Sequence, residues 1–379
     1  MKKLFSLLLA MAMVLSLAAC SGNTITNNTG TTPDTSGEDT QSPDASDGQE
    51  EGNTLRRNEI IRIGFPSSYV SFTYAPILVA QKLGYFDEEG IDLVFEQSYS
   101  SSATRMVASN QAEFSVPGPH LTVAGIDSGM DVISVFQLFP VDIFGFAVLS
   151  SSGMASIADL EGKTIGIHQP TGVNQVDPMV SAAGVDPSSL NLVPIGDARA
   201  QQLSEGTVDA VWSWDGEWQQ WKAEGMDITF LSGEEVYKSA SNSFIANAAL
   251  VEEYPDLIAG FCRAVAKGCY FCYKNPRAAA DIVITDWTSL AVDLDTAEEI
   301  IVTAVNFMTG GQEIMEGNTI GEHPQERWEL LMDDYVEYGI VSEYIDLDRC
   351  YTNQFVEAAN DWDRAEVDAD AENYQFVSE

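Results

Sequence analysis

Ile60-Ile61-Arg62-Ile63-Gly64-Phe65 is a short apolar run rich in β-branched residues, and behind it the chain changes period. Ala75 to Leu83 has helical spacing and stops at Gly84; Asp92-Leu93-Val94-Phe95 is again a strand. Ala103 to Asn110 then reads as a helix and Phe114-Ser115-Val116 as a third strand. Strand, helix, strand, helix, strand predicts parallel strands joined by right-handed crossovers, and such sheets gather ligands at the carboxyl ends of their strands.

The same rhythm restarts at Thr164-Ile165-Gly166-Ile167. It continues through a helix at Asp177 to Ala183, a strand at Leu190 to Val193, a helix at Ala198 to Glu205 and a strand at Asp209 to Trp212. Between the copies lies the apolar strand Ile143 to Leu149; after the second, Phe244 to Leu250 leads into a helical region from Pro255 to about Tyr344. The class is α/β with two lobes, each a mixed, mainly parallel sheet flanked by helices. Residues 58–147 and 245–360 are assigned to the first lobe and 148–244 to the second. Two crossings between such halves make a hinge, and a hinge makes a cleft.

The ends have a different composition. Met1-Lys2-Lys3, an apolar run from Leu4 to Leu17 and then Ala18-Ala19-Cys20 read as an export signal over residues 1–19, because an h-region of about 15 residues is too short to span a bilayer. Leu17-Ala18-Ala19-Cys20 resembles a bacterial lipobox, which makes Cys20 the expected lipid attachment point. Residues 20–57 are poor in apolar side chains and are expected to form a flexible tether with a reach of roughly 30 Å. The acidic residues 361–379 are expected to fray.

The chain of 379 residues carries 58 acidic against 18 basic side chains, a formal net charge of -40. Phosphate recognition rests on lysine and arginine, so nucleic acid is not an expected partner. The acids are dispersed rather than spaced as ligands, and no metal site is expected. Of the five cysteines, Cys269 and Cys272 form a lone Cys-x-x-Cys between Cys262 and Cys350. It sits within helical spacing and has no histidine nearby, which favours small buried hydrophobes over a metal or redox pair; a disulfide stays open.

Pro76 to Leu93, with Gly84-Tyr85-Phe86, the acidic pair Glu88-Glu89 and Gly90 before a strand, resembles the first helix and turn of the SsuA/THI5-like (NMT1-type) substrate-binding proteins. Three further stretches match in order. They are Asp159-Leu160-Glu161-Gly162-Lys163-Thr164-Ile165-Gly166, Leu203 to Ala210, and Tyr254-Pro255-Asp256-Leu257 with Asn275-Pro276. The resemblance implies a type II periplasmic-binding-protein fold with two hinge crossings. It also implies a monomer, lipid-anchored to the outer face of the cytoplasmic membrane, that hands a small solute to an ABC permease and its ATPase. The family's solutes include thiamine-precursor pyrimidines, alkanesulfonates, taurine and nitrate.

In such a fold the loops after the strands line the cleft. The candidate ligand contacts are Ser67, Ser68, Phe72, Tyr74, Ser100, Ser101, Pro117 and His120 from the first lobe, with Thr171, Gly172, Trp212, Trp214 and Asp215 from the second. Serines and threonines at helix heads offer N–H groups to a polar ligand or simply cap the helix. Aromatic residues dominate these loops, Trp218 and Phe139 among them, and no lysine or arginine is found there, which favours a flat heterocycle over an anion. Asp215 and Glu217 suit an exocyclic amine.

Two other readings stay open. One is a ligand sensor that presents its closed form to a receptor. The other is an enzyme resembling the pyrimidine synthases of this fold, which use histidine, pyridoxal phosphate and a cysteine-rich patch. Three histidines, no Cys-Cys-Cys run and no evident Ser/His/Asp arrangement speak against catalysis, and no cofactor is expected.

Overall fold

The structure, a computed structural model, describes residues 60–65, 72–98, 100–287, 292–310 and 312–378, without the side chains of Phe65, Ser100, Ser101, Gln312 and Glu313. The expected signal, Cys20, the tether, Ser67 and Ser68 lie outside the described residues.

Ten strands are described: β1 Ile60–Phe65, β2 Asp92–Gln97, β3 Phe114–Ser115, β4 Val132–Gln137, β5 Phe144–Leu149, β6 Thr164–Ile167, β7 Asn191–Pro194, β8 Ala210–Trp214, β9 Ile228–Ser232 and β10 Ser243–Asn247. They form two five-stranded sheets, ordered β2-β1-β3-β10-β4 and β7-β6-β8-β5-β9. In the first, β1 runs parallel to β2 and β3, while β10 is antiparallel to both β3 and β4. In the second, β6 runs parallel to β7 and β8, while β5 is antiparallel to β8 and β9. Each sheet is thus one strand-helix-strand-helix-strand unit, a reversed strand delivered by a crossing, and a fifth strand paired antiparallel to that one.

The strand pairing corrects the expected boundary between the lobes. Phe144 to Val148 pair with Trp214 to Ala210, so β5 belongs entirely to the second sheet and the first crossing is 138–143. Ser243 and Phe244 pair with β4, so the second crossing is 233–242. An apolar strand with both faces buried does not announce in its sequence which of two sheets it joins.

The crossings lie side by side because Gln137 stitches them. Its Nε2 donates to the carbonyls of Phe139 at 2.8 Å and Ser241 at 2.9 Å. Its Oε1 accepts from Trp328 Nε1 at 2.9 Å, and Phe139 N donates to Asn242 O at 3.1 Å. Phe139, a candidate cleft aromatic in the sequence, is fully buried in this hinge.

Behind the first sheet, helix Pro255–Lys274 is buried along much of its length and crosses helix Ala75–Leu83. Phe261 stacks on Phe114 of β3 with centroids 3.8 Å apart. Gly268 permits the crossing, since a Cβ there would lie 2.1 Å from the carbonyl oxygen of Pro76. Gly84 ends the shorter helix in the left-handed conformation at φ 82°. Cys262, Cys269, Cys272 and Cys350 are free and buried, as small hydrophobes are.

The C-terminal stretch is not frayed. Helix Arg364–Glu372 buries Val367 and Ala371, Asp370 accepts from Tyr85 OH at 2.9 Å, and Asp368 pairs with Lys274 at 3.0 Å. Further on, the buried Asp281 accepts from Tyr374 OH at 2.8 Å and Val377 N at 2.9 Å. The acids that suggested disorder have specific partners on the first-sheet side, and two apolar positions supply the docking face. Among the described residues no helix is long and apolar enough to cross a membrane.

Candidate functional site

The carboxyl ends of the parallel strands, with the short turns behind them, set the site. From the first sheet, β1 leads to the turn Phe72–Tyr74, which is buried throughout. β2 leads through buried Ser98 to helix Ser100–Ala108, and β3 leads through the buried Val116-Pro117-Gly118 to helix Pro119–Asp127. His120, in the first turn of that helix, is partly covered, and burial pulls its pKa down to about 4, which keeps the ring neutral at pH 7. A Cβ on Gly118 would meet this ring at 2.8 Å, so only glycine lets the histidine lie over the loop. Asn242, from the second crossing, hydrogen-bonds the Tyr74 side chain, and its Nδ2 lies 3.5 Å from Val116 O.

From the second sheet, β6 leads through exposed His168 and Thr171 and buried Gly172 to helix Val173–Ala182. β8 ends at Trp214 and runs directly into helix Asp215–Ala223. Trp212 stacks on Phe144 with centroids 4.8 Å apart, and Trp214 is half-buried. Asp215 has no exposed surface, and burial pushes its pKa up to about 7 against a 3.4 Å hydrogen bond from Gln219. No side chain caps the helices that begin at Pro119, Val173 and Asp215, so Thr171 is not an N-cap there. Elements of both sheets meet at this place: the turn Phe72–Tyr74 and helix Leu294–Thr309 pack against helix Asp215–Ala223.

Folded proteins pair more than nine in ten of their buried polar groups. Several of the buried polar atoms without a partner lie at or just behind these strand ends: Ser98 Oγ, His120 Nδ1 and Asn242 Oδ1 on the first-sheet side, and Gln175 Oε1, Arg199 Nε and Nη1, Trp212 Nε1 and Asp215 Oδ2 on the second; others, such as Gln81 Oε1, Thr104 Oγ1 and Trp287 Nε1, lie elsewhere. A polar guest of matching hydrogen-bond pattern would satisfy what the protein leaves open. A shallow surface hollow lined by Ser156, Ile157, Leu231 and Val236 includes none of these residues.

Phe72, Tyr74, Pro117 and His120 thus lie behind strands of the first sheet, and Thr171, Gly172, Trp212, Trp214 and Asp215 at or behind the ends of β6 and β8 in the second, with Phe72, Tyr74 and Trp212 largely buried. The structure describes no side chain for Ser100 or Ser101. Trp218 is placed elsewhere, stacked on Phe230 at 5.0 Å in the second sheet's own core. Arg199, Asn242 and Gln175 were not legible as site residues. The loops named from the sequence hold no lysine or arginine, but Arg199, which stands beyond β7 and outside those loops, is 4 % exposed and lies 5.2 Å from the Trp214 ring centroid. The loop after β7 was the one strand end passed over.

A Ser-His-Asn arrangement does exist. Ser134 Oγ lies 2.6 Å from His323 Nε2, and His323 Nδ1 lies 2.9 Å from Asn353 Oδ1. Ser134 is fully buried and His323 stacks on Tyr351 at 4.9 Å, so the trio fastens β4 to the C-terminal segment and has no open face for a substrate. Among the described residues no group of three or more His, Cys, Asp or Glu could hold a metal ion.

The NMT1/THI5-like family profile matches residues 71–279, more than half of the chain. The chain belongs to the NMT1/THI5-like family. Relatives of this family member include the riboflavin-binding protein RibY of Chloroflexus aurantiacus, 24% identical, with 94% of this chain and 99% of that one covered. The formylaminopyrimidine-binding protein of Halalkalibacterium halodurans is 26% identical, covering 90% of this chain and 96% of its own. The 4-amino-5-hydroxymethyl-2-methylpyrimidine phosphate synthase of Legionella pneumophila is 26% identical over 76% of this chain and 90% of its own. Among solved structures, the periplasmic aliphatic sulphonate binding protein SsuA of Escherichia coli superposes with a TM-score of 0.57 at 14% identity, covering 77% of this chain and 91% of that one. The fold of this NMT1/THI5-like chain is that of the two-lobed periplasmic binding proteins.

Proposed function

We propose that the protein is the extracytoplasmic solute-binding component of an ABC importer, tethered to the membrane through a lipid on Cys20. In this reading its two lobes close over a planar, nitrogen-rich heterocycle such as a thiamine-precursor pyrimidine. The observation that carries it is the set of unpaired buried polar atoms beside aromatic faces at the strand ends of both sheets, with Asp215 Oδ2 foremost. A carboxylate suits the N–H groups of an exocyclic amine, and Trp214 and Tyr74 suit a flat ring. Relatives named for riboflavin and formylaminopyrimidine agree with such cargo. Closure follows from cargo that touches both rims only when they meet.

The synthase reading is supported by the relatives that carry that name. Against it, the described residues directly behind the parallel strands include no lysine to form a Schiff base with an aldehyde cofactor, and Arg199 is committed to Glu217 at 2.5 Å. A thermal-shift screen of formylaminopyrimidine, riboflavin, an alkanesulfonate, taurine and nitrate tests the assignment. Stabilisation by a ring compound, without pyridoxal absorbance in the purified protein, supports it. Stabilisation by sulfonate alone, or a bound pyridoxal chromophore, overturns it.

A further inference from the structure

Arg199 stands at the head of helix Arg199–Ser204, which follows the carboxyl end of β7 after the short turn Gly196–Ala198. It is buried, and a buried guanidinium needs a reason. Its Nη2 donates to Glu217 Oε1 at 2.5 Å, and Glu217 Oε2 in turn accepts from Ser213 Oγ at 2.8 Å. Burial pushes the Glu217 carboxyl up to about 7 even though the arginine charge opposes the shift. Ser213 and Glu217 bracket Trp214 and Asp215 in sequence, so the ion pair grips the one stretch of backbone that carries both candidate contacts. The guanidinium carbon lies 5.2 Å from the Trp214 ring centroid. Nε and Nη1 have no hydrogen-bond partner, so the group is placed by Glu217 and by the ring rather than by a wider network.

We propose that Arg199 is a positioning residue of the cleft: fixed by Glu217, it backs one face of Trp214 and leaves the opposite face as the platform on which a flat cargo stacks. A guanidinium plane lies against an indole as an ammonium cannot, so the role is specific to arginine. A backed ring also loses little rotational freedom when cargo arrives, which favours rings over compact solutes. The proposal rests on the cargo reading above, and its first readout does not need cargo.

The test uses two variants. Arg199→Met/Glu217→Gln removes both charges together, so no buried ion is left alone. Arg199→Lys keeps an ion pair with Glu217 and lacks the plane. The first readout is the near-ultraviolet circular dichroism of Trp214, taken as the difference between the wild type and Trp214→Phe, without ligand. The second is affinity for formylaminopyrimidine and for taurine. Both variants are expected to keep a cooperative melt, to lose at least about half of the Trp214 band and to bind the pyrimidine at least about fivefold more weakly, with taurine unchanged. A folded double variant with the wild-type Trp214 band and wild-type pyrimidine affinity would overturn the proposal. If the wild type binds no ring compound, the cargo reading fails while the band still decides the role of Arg199.

Discussion

Arg327 holds Glu234 with both ends of its guanidinium, Nη1 to Oε2 at 2.8 Å and Nη2 to Oε1 at 2.7 Å. Helix Gln325–Glu337 of the first-sheet side is thereby tied to the turn that follows β9. Asp142 N donates to the same Glu234 carboxylate at 3.0 Å, so the clamp reaches both crossings. Glu234→Ala should lower stability by about 1–3 kcal/mol, read from urea unfolding, because it leaves a mostly buried arginine without its counter-charge and with only the Ser239 carbonyl, at 3.2 Å, as acceptor. A change within about 0.5 kcal/mol would show that the clamp is decorative.

Asp142 is buried beside that clamp, and burial, reinforced by Glu234, lifts its pKa to about 8. Its folded pKa lies above its unfolded value near 3.9, so the native state holds more protons between the two. The stability from this group is complete below about pH 4 and is lost as pH rises toward 8. Melting temperature measured from pH 5 to pH 9 should therefore fall less steeply in Asp142→Asn than in the wild type. Identical slopes would place the titration elsewhere.

Gly268 faces the Pro76 carbonyl where helices Pro255–Lys274 and Ala75–Leu83 cross. Gly268→Val must push the helices apart or distort one of them, and about 1–3 kcal/mol of destabilisation is expected from overpacking. Chemical denaturation checks it; an unchanged midpoint would mean that the crossing is looser than the structure shows.

How much of this could be read from sequence depends on the range of the interaction. The two strand-helix-strand-helix-strand units were legible because apolar period and glycine punctuation are local, as at Gly84 and in Thr164-Ile165-Gly166-Ile167. The membership of β5 was not, because Phe144 looks the same in either sheet until its partner Trp214 is known. The C-terminal helix was missed because Asp368 and Asp370 resemble a solvated run until Lys274 and Tyr85 come near. At the site, Trp214 and Asp215 were legible as residues behind a strand. Arg199 and Asn242 were not, since each takes its meaning from partners that only folding supplies: Trp214 and Glu217 for one, Tyr74 and Val116 for the other.

Asp215 keeps a buried carboxylate oxygen without a partner, and in the proposed function that oxygen meets the cargo. Calorimetric titration of the purified protein with formylaminopyrimidine, in wild type, Asp215→Asn and Trp214→Ala, is the most direct test. One site is expected in the wild type, with at least about tenfold weaker binding in each variant, from the loss of a hydrogen-bonding carboxylate in one and of a stacking face in the other. Equal affinity in all three proteins would contradict the proposed function.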